Sequence, residues 1–216
     1  MEHAAGIEAD VKKKSLKASE QLRPDVAVQR EQYFDQLKDV PLRDVVVLDE
    51  SYATTQFTRL RGRSLRGVRL VERVPHGHWK LLTILGAISV EGIVAGATVD
   101  AATDTDVFLT FVREALVPAL RPGQVVVMDN LAAHKVAGVR EAIEQRAGCR
   151  LVYLPPYSPD LSPIEPMWSK FKQALRTMAC RTVAELIDAV GTALDTINPS
   201  DCQGYFRHCG YTLHLE

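Results

Sequence analysis

Val45-Val46-Val47-Leu48-Asp49 and Val125-Val126-Val127-Met128-Asp129 repeat one pattern: four apolar residues, mostly β-branched, closed by an aspartate. Continuous apolar runs of this length fit strands buried on both faces of a partly parallel sheet. Each aspartate then stands at the carboxyl end of its strand, and beyond that end open α/β sheets bind ligands. If the two strands are neighbours, both carboxylates enter one crevice. Two carboxylates that close repel each other unless a proton or a cation intervenes. A hard divalent cation, Mg²⁺ or Mn²⁺, suits such oxygen ligands. Either aspartate alone reads as a strand end capping a turn; the matched pair points to chemistry. Asp44 precedes its strand and Glu50 falls on the other side of the pleat, so both are weaker candidates.

Working outward, Leu81–Val99 carries a single charge, Glu91, and is nearly long enough to span a membrane. Glu91-Gly92 at its centre, flanked by β-branched residues, predicts two buried strands joined by a tight hairpin instead. A helix is expected from about Asp104 to Leu116, with Val107, Phe108, Phe111, Val112 and Ala115 on one face. A second is expected from His134 to Ala147 with Gly148 as its C-cap. Arg150–Leu154 reads as a short strand. Five prolines within residues 155–166 predict a rigid loop. A helix then opens near Pro163, with Ile164, Met167, Trp168, Phe171 and Leu175 on its apolar face. Another opens at Thr182, where Thr182 and Glu185 form a capping box ahead of Val183, Leu186, Ile187, Val190 and Leu194. The element order describes an α/β domain with a mixed sheet flanked by helices. Residues 1–40 hold a basic knot (Lys12, Lys13, Lys14, Lys17) and a polar helical segment, Asp25–Leu37. They read as a linker, or the tail of a missing domain, ahead of a folded domain at 41–216.

Composition narrows the class. With 46% apolar and 25% charged residues, the 216-residue chain is globular, not disordered or coiled-coil. A net charge of −1 argues against wrapping nucleic acid over the whole surface, but allows a local basic stripe. Residues 59–80 are that stripe: six arginines and one lysine against one acid, Glu72. Arg59, Arg61, Arg63, Arg66, His78 and Lys80 are candidate contacts to backbone phosphates; the bland alternative is a solvated arginine-rich β-hairpin. His76 and His78 lack a further ligand at metal-site spacing. Cys149, Cys180, Cys202 and Cys209 have no CxxC spacing, so neither a zinc ribbon nor a disulfide scaffold is indicated, and a reduced cytoplasmic setting fits. The N-terminus has no signal-peptide core.

Glu165 is the third candidate acid. Taken alone, Ser162-Pro163-Ile164-Glu165 reads as a capping box with Ser162 as N-cap. Against that, the proline loop fixes this helix end in space and the 150–154 strand delivers it beside the crevice. Three acids suit two cations ~3.5–4 Å apart, which can bind the attacking and leaving oxygens of a phosphodiester displacement. Asn130, His134 and Lys135 follow the second aspartate and either face the crevice or cap the next helix. Lys170, Lys172 and Arg176 alternate with the apolar face and either touch DNA or form an ordinary polar face. Trp168 reads as core packing.

Four segments together, VVLDES (46–51), VPHGHWK (74–80), VVVMDNLAAHK (125–135) and LPPYSPDLSPIEPMWSKFK (154–172), resemble the DDE transposases of the mariner-like superfamily. The insertion sequence 630 family of bacteria is the most similar branch, and the resemblance runs from about Lys12 to Tyr211. It implies a ribonuclease-H-like (retroviral-integrase-like) fold. It implies Asp49, Asp129 and Glu165 as an acidic triad binding two Mg²⁺, with Mn²⁺ as a substitute. It also implies DNA strand cleavage by water, then strand transfer by the freed 3′-hydroxyl into target DNA, usually at TA, by a homo-oligomer on double-stranded transposon ends. Ser162 stands where the family usually has Asn; both cap helices well. Family members carry helix-turn-helix domains in front of the catalytic domain, and residues 1–40 are too short for them. The expectation is a second reading frame of a split gene, partnered by an upstream-frame helix-turn-helix protein, or a truncated copy. A nucleoid-associated place in the bacterial cytoplasm follows. Two rival functions keep the fold: a non-catalytic DNA- or protein-binding remnant, and a nuclease that only hydrolyses.

Overall fold

A computed structural model describes residues 18–74, 76–100, 104–130, 138–146 and 148–211. Its centre is a five-stranded sheet in the order β3-β2-β1-β4-β5. The strands are β1 (Val45–Thr54), β2 (Leu81–Ser89), β3 (Gly92–Val99), β4 (Val125–Met128) and β5 (Arg150–Tyr153). β1 pairs antiparallel with β2 and parallel with β4. β2–β3 is antiparallel and β4–β5 parallel. The sheet is therefore mixed and flanked by helices, as the sequence predicts. The 81–99 segment is a hairpin, turning at Val90-Glu91 with Gly92 at φ 128°, a conformation that favours glycine. Among the described residues no helix is long and apolar enough to cross a membrane.

Alternation along β1 and β4 splits the core in two. Val45, Val47, Val125 and Val127 face a layer built by α5 (Ile164–Met178), α6 (Val183–Leu194) and α7 (Pro199–His208). Val46, Leu48, Val126 and Met128 face α2 (Thr105–Phe111) and α4 (Val139–Glu144). α2 continues through a π-helical stretch, Val112–Leu116, into a last turn, α3 (Val117–Ala119). Both faces of the central strands are dry, which is why neither strand needs polar alternation.

Several elements differ from the sequence reading. The polar helix expected over 25–37 forms as α1 (Pro24–Asp35), yet its Val26 and Tyr33, with Leu37 just beyond it, are buried, and Tyr33 and Leu37 join the core on the α5 side. Three apolar residues were too few to show as a stripe. α4 ends at Glu144, short of Ala147, and the expected start of that helix at His134 lies outside the described residues. Residues 55–80 contain no strand among those described, so the arginine-rich segment is a loop and not a hairpin. α6 has its capping box, with Thr182 and Glu185 bonded reciprocally, but Ala189 and Ala193 are buried while Ile187 is 42% exposed. Small residues there let the helix approach closely. Helix α7 was not anticipated, although Asn198 and Asp201 form a second capping box.

One close approach organises the α5 side. Gly86 on β2 stands opposite Asp49 on β1, and the Trp168 ring lies directly over it. A Cβ at position 86 would come within 2.7 Å of Trp168 Cη2. Gly86→Ala is expected to destabilise the fold by about 1–3 kcal/mol through overpacking against a rigid ring. Urea denaturation checks this, and an unchanged midpoint contradicts the packing.

Candidate active site

β1 and β4 run parallel with Val45 opposite Val125 and Val47 opposite Val127. That register carries Asp49 and Asp129 to the same level on adjacent strands: Asp129 follows the last residue of β4, whereas Asp49 lies midway along β1, which runs on to Thr54 in pairing with β2, so the strand end expected at Asp49 is not observed. Both continue the odd-numbered face of their strands, the face covered by α5. Glu165 enters from the first turn of α5. A cleft of about 480 Å³ is lined by all three acids, with Asn130, the Leu154–Pro159 segment and Ser162. Pro155, Pro156 and Pro159 build one wall, so the proline-rich loop shapes the cavity as well as the helix start.

Ser162 does not cap α5. Its side chain is buried, Pro163 takes the cap position in helical conformation, and no side-chain cap bond forms. The Glu165 backbone N–H donates to the Ser162 carbonyl at 3.2 Å instead. The Glu165 carboxylate, free of capping duty, is exposed at the cleft.

Trp168 sits one turn further along α5 and does more than pack. Its indole N–H donates to Asp49 Oδ2 at 3.1 Å, while its ring packs edge-on against Phe171 at 5.4 Å between centroids. The missing side chain at Gly86 makes room for this contact. Burial pushes the Asp49 carboxyl up to about 7. Its own chain opposes this through the Glu50 backbone N–H, Glu165 and Asp129 add repulsion, and the Trp168 N–H favours the charged form. Burial outweighs the groups that favour the charged form. Asn130 adds an unmet acceptor: its side-chain oxygen is buried without a hydrogen-bond partner. A donor set of hard carboxylate and carboxamide oxygens fits Mg²⁺ or Mn²⁺. Among the described residues no three His, Cys, Asp or Glu side chains converge on a single point. The acids share the cleft and do not close around one centre.

Cations approach from α5 and the loop. Lys172, two turns from Glu165, stacks over the Tyr52 ring at 4.6 Å. Burial lowers its pKa, while Glu165 and Asp49 pull the other way, which places it within their field. Lys170 is instead paired with Asp201 on α7 at 2.5 Å. Arg59, Arg61, Arg63, Arg66, His78 and Lys80 are all exposed on the 55–80 loop. The loop base is pinned: Arg181 donates to the carbonyls of Thr55 and Phe57 at 3.2 and 2.9 Å. His134 and Lys135 lie outside the described residues.

Residues 44–187, more than half of the chain, match the family model described as DDE superfamily endonuclease. The chain belongs to that superfamily. Its fold is that of known transposase structures. The Mos1 transposase paired-end complex with left transposon end superposes with a TM-score of 0.73 at 14% identity, over 95% of this chain and 63% of that one. The Mos1 mariner paired-end complex with Mn gives 0.71 at 16% identity, over 94% and 63%. The catalytic domain of Mos1 mariner transposase gives 0.64 at 14% identity, over 90% and 89%. The chain therefore spans under two thirds of the paired-end chains but nearly all of the isolated catalytic domain. No curated protein sequence matches it. The ribonuclease-H-like architecture expected of the DDE endonuclease is thus observed.

The raised Asp49 pKa has a defined consequence for the metal-free protein. A carboxyl whose folded pKa, about 7, exceeds its ordinary 3.8 favours folding in its protonated form. The stability it contributes is whole below about pH 4 and is lost as pH rises through 7. Asp49→Asn should remove that slope and stabilise the metal-free protein at pH 8 by about 2–4 kcal/mol. Denaturant titrations across pH 4–8 test it; parallel curves for both proteins contradict it. Trp168→Phe removes a bond to the charged form, so the Asp49 carboxyl should titrate at still higher pH in a carbon-detected NMR titration.

Proposed function

We propose that this chain is the catalytic domain of a transposase that cleaves DNA strands with divalent metal ions and then joins them to target DNA. The observation that carries this reading is the shared cleft. Asp49 and Asp129 reach it from paired strands and Glu165 from α5, within a DDE superfamily endonuclease domain. Asp49, Asp129 and Glu165 would hold two Mg²⁺, or Mn²⁺ in their place, with the Asn130 oxygen as a further acceptor at the cleft. Bound there, the cations would supply Lewis-acid stabilisation to the attacking and leaving oxygens of an in-line displacement.

The residues of the chain divide the remaining work. Asp49 must give up its proton for a cation to bind, and the Trp168 N–H holds the resulting carboxylate in place. Water attacks phosphorus, the P–O3′ bond breaks, and the strand is left with a free 3′-hydroxyl. In the second step that hydroxyl attacks a target phosphodiester and loses its proton, so one P–O bond is exchanged for another. The 55–80 loop presents Arg59, Arg61, Arg63 and Arg66 to the DNA backbone, with His78 and Lys80 where it rejoins β2. Lys172 reaches phosphates nearer the acids, and His134 and Lys135 are assigned the same role from sequence. Lys170 contributes only by exchanging Asp201 for phosphate. Leu60, Leu65 and Val71 are 78%, 82% and 74% exposed on the same loop, which suits contact with a second copy on paired transposon ends.

The finer assignments follow the sequence resemblance: the insertion sequence 630 branch, a TA target, a bacterial cytoplasmic setting on the nucleoid, and helix-turn-helix recognition supplied from outside residues 41–216.

Two measurements test the reading. Pre-cleaved transposon ends and target DNA with Mg²⁺ should be joined by the native protein, and Asp129→Ala should reduce joining by at least about a thousandfold, as for loss of an essential catalytic group. Equal joining by both proteins rejects the mechanism, and nicking without joining assigns the hydrolysis-only function. Calorimetric titration with Mn²⁺ should show affinity that weakens as pH falls below about 7, because proton and metal compete for Asp49. Binding that Asp49→Ala leaves unchanged would identify a remnant whose metal lies elsewhere.

A further inference from the structure

The three acids do not stand on equally firm supports. Asp49 lies within β1 and Asp129 directly follows β4, two strands that are paired within the sheet. Glu165 rides on α5, whose start is set by the loop from Pro155 to Pro163. The loop's tie to the sheet is at its entrance, where the Leu154 N–H donates to the Met128 carbonyl at 2.8 Å. Past that point a set of hydrogen bonds reaches it from behind, from residues outside the 44–187 span that matches the family.

Arg30 on α1 makes the main one. Its guanidinium grips the Asp160 carboxylate with both nitrogens, Nη1 to Oδ1 at 3.0 Å and Nη2 to Oδ2 at 2.8 Å. Nη1 also donates to the Ser158 hydroxyl at 2.7 Å. Gln21 adds two bonds, to the Tyr157 carbonyl at 2.7 Å and to Asp160 Oδ1 at 3.1 Å. Tyr211 donates to the Leu161 carbonyl at 3.1 Å, and its hydroxyl is itself hydrogen-bonded to that of Tyr33 on α1. The gripped loop is not at rest on its own: Tyr157 holds φ 56°, a left-handed conformation that an L side chain rarely adopts. The Arg30–Asp160 side chains are 22% and 34% exposed, so the pair is partly shielded from water. A bidentate guanidinium fixes orientation as well as distance, which a lysine cannot do.

We propose that Arg30 and Asp160 form a latch through which helix α1 sets the position of Glu165 in the cleft. Arg30 is a positioning residue: it touches neither substrate nor metal, and acts through the proline loop. The loop and α1 move as one body while the latch is closed. With it open, the two strand acids keep their places and the third does not. This rests on the reading of Asp49, Asp129 and Glu165 as the metal-holding set.

The test uses the full chain and reads the Mn²⁺ dependence of DNA nicking together with Mn²⁺ binding by calorimetry. Arg30→Ala should raise the Mn²⁺ concentration needed for half-maximal nicking by about tenfold or more, the usual effect of losing a partner behind a metal ligand. A purely structural role would lower the amount of active protein and the melting temperature but leave that concentration where it was. Arg30→Lys should rescue only in part, and the charge swap Arg30→Asp with Asp160→Arg should restore more than either single change. If Arg30→Ala does not fold, Asp160→Asn removes the charge at nearly constant shape and should shift the Mn²⁺ dependence in the same direction. An unchanged Mn²⁺ dependence in a folded latch variant, with the native protein active, overturns the latch alone. A native protein that neither binds Mn²⁺ nor nicks DNA overturns the reading of the acidic site, and the latch with it.

Discussion

The parallel pairing of β1 with β4 is the constraint on which the site depends. With Val45 opposite Val125 and Val47 opposite Val127, the pleat delivers Asp49 and Asp129 together, at one level and on one face. A slip of one residue would turn one aspartate into the α2 layer, because side chains alternate across a strand. Burial on both faces protects against that slip. Val46 and Val126 pack into one core, and Val45, Val47, Val125 and Val127 into the other. Two apolar cores thus hold two charged groups in register.

The same burial charges the site electrostatically. Asp49 is drawn far enough from water that its carboxyl resists ionisation to about pH 7, and its neighbours in the cleft are acids. Trp168 reconciles the core with the site: the ring fills the space above Gly86, and its one polar atom reaches the carboxylate. The α5 helix therefore contributes packing, an orienting hydrogen bond, the third acid and Lys172 from a single face.

Much of this was legible in the sequence. The Val-rich runs, the Glu91-Gly92 hairpin, the proline-rich loop and the Thr182 capping box are local signals and each folds as read, except that β1 does not end at Asp49 but continues to Thr54. Where the reading diverged, the reason was long-range. α1 shows no apolar stripe in the sequence because only two of its side chains, Val26 and Tyr33, are buried. Ser162 looked like a cap because its own burial in the cleft wall was invisible. The basic stripe is no hairpin: its apolar side chains, Leu60, Leu65 and Val71 among them, stay exposed and bury no face against the core. The Asn198–Asp201 box at α7 was a readable signal that went unread.

Residue type and order alone determined the class of fold and the superfamily and singled out the three acids as candidates, because strand burial, turn chemistry and helix capping are written within a few residues of one another. Only the tertiary structure decided what surrounds those acids. Gly86 and Trp168 are 82 residues apart, and Arg30 and Asp160 are 130 apart. Pairings over such distances follow from how layers stack on the sheet, and no local pattern encodes them. Whether a tryptophan is only packing, or also the hand that holds a carboxylate, depends on what lies across the strand.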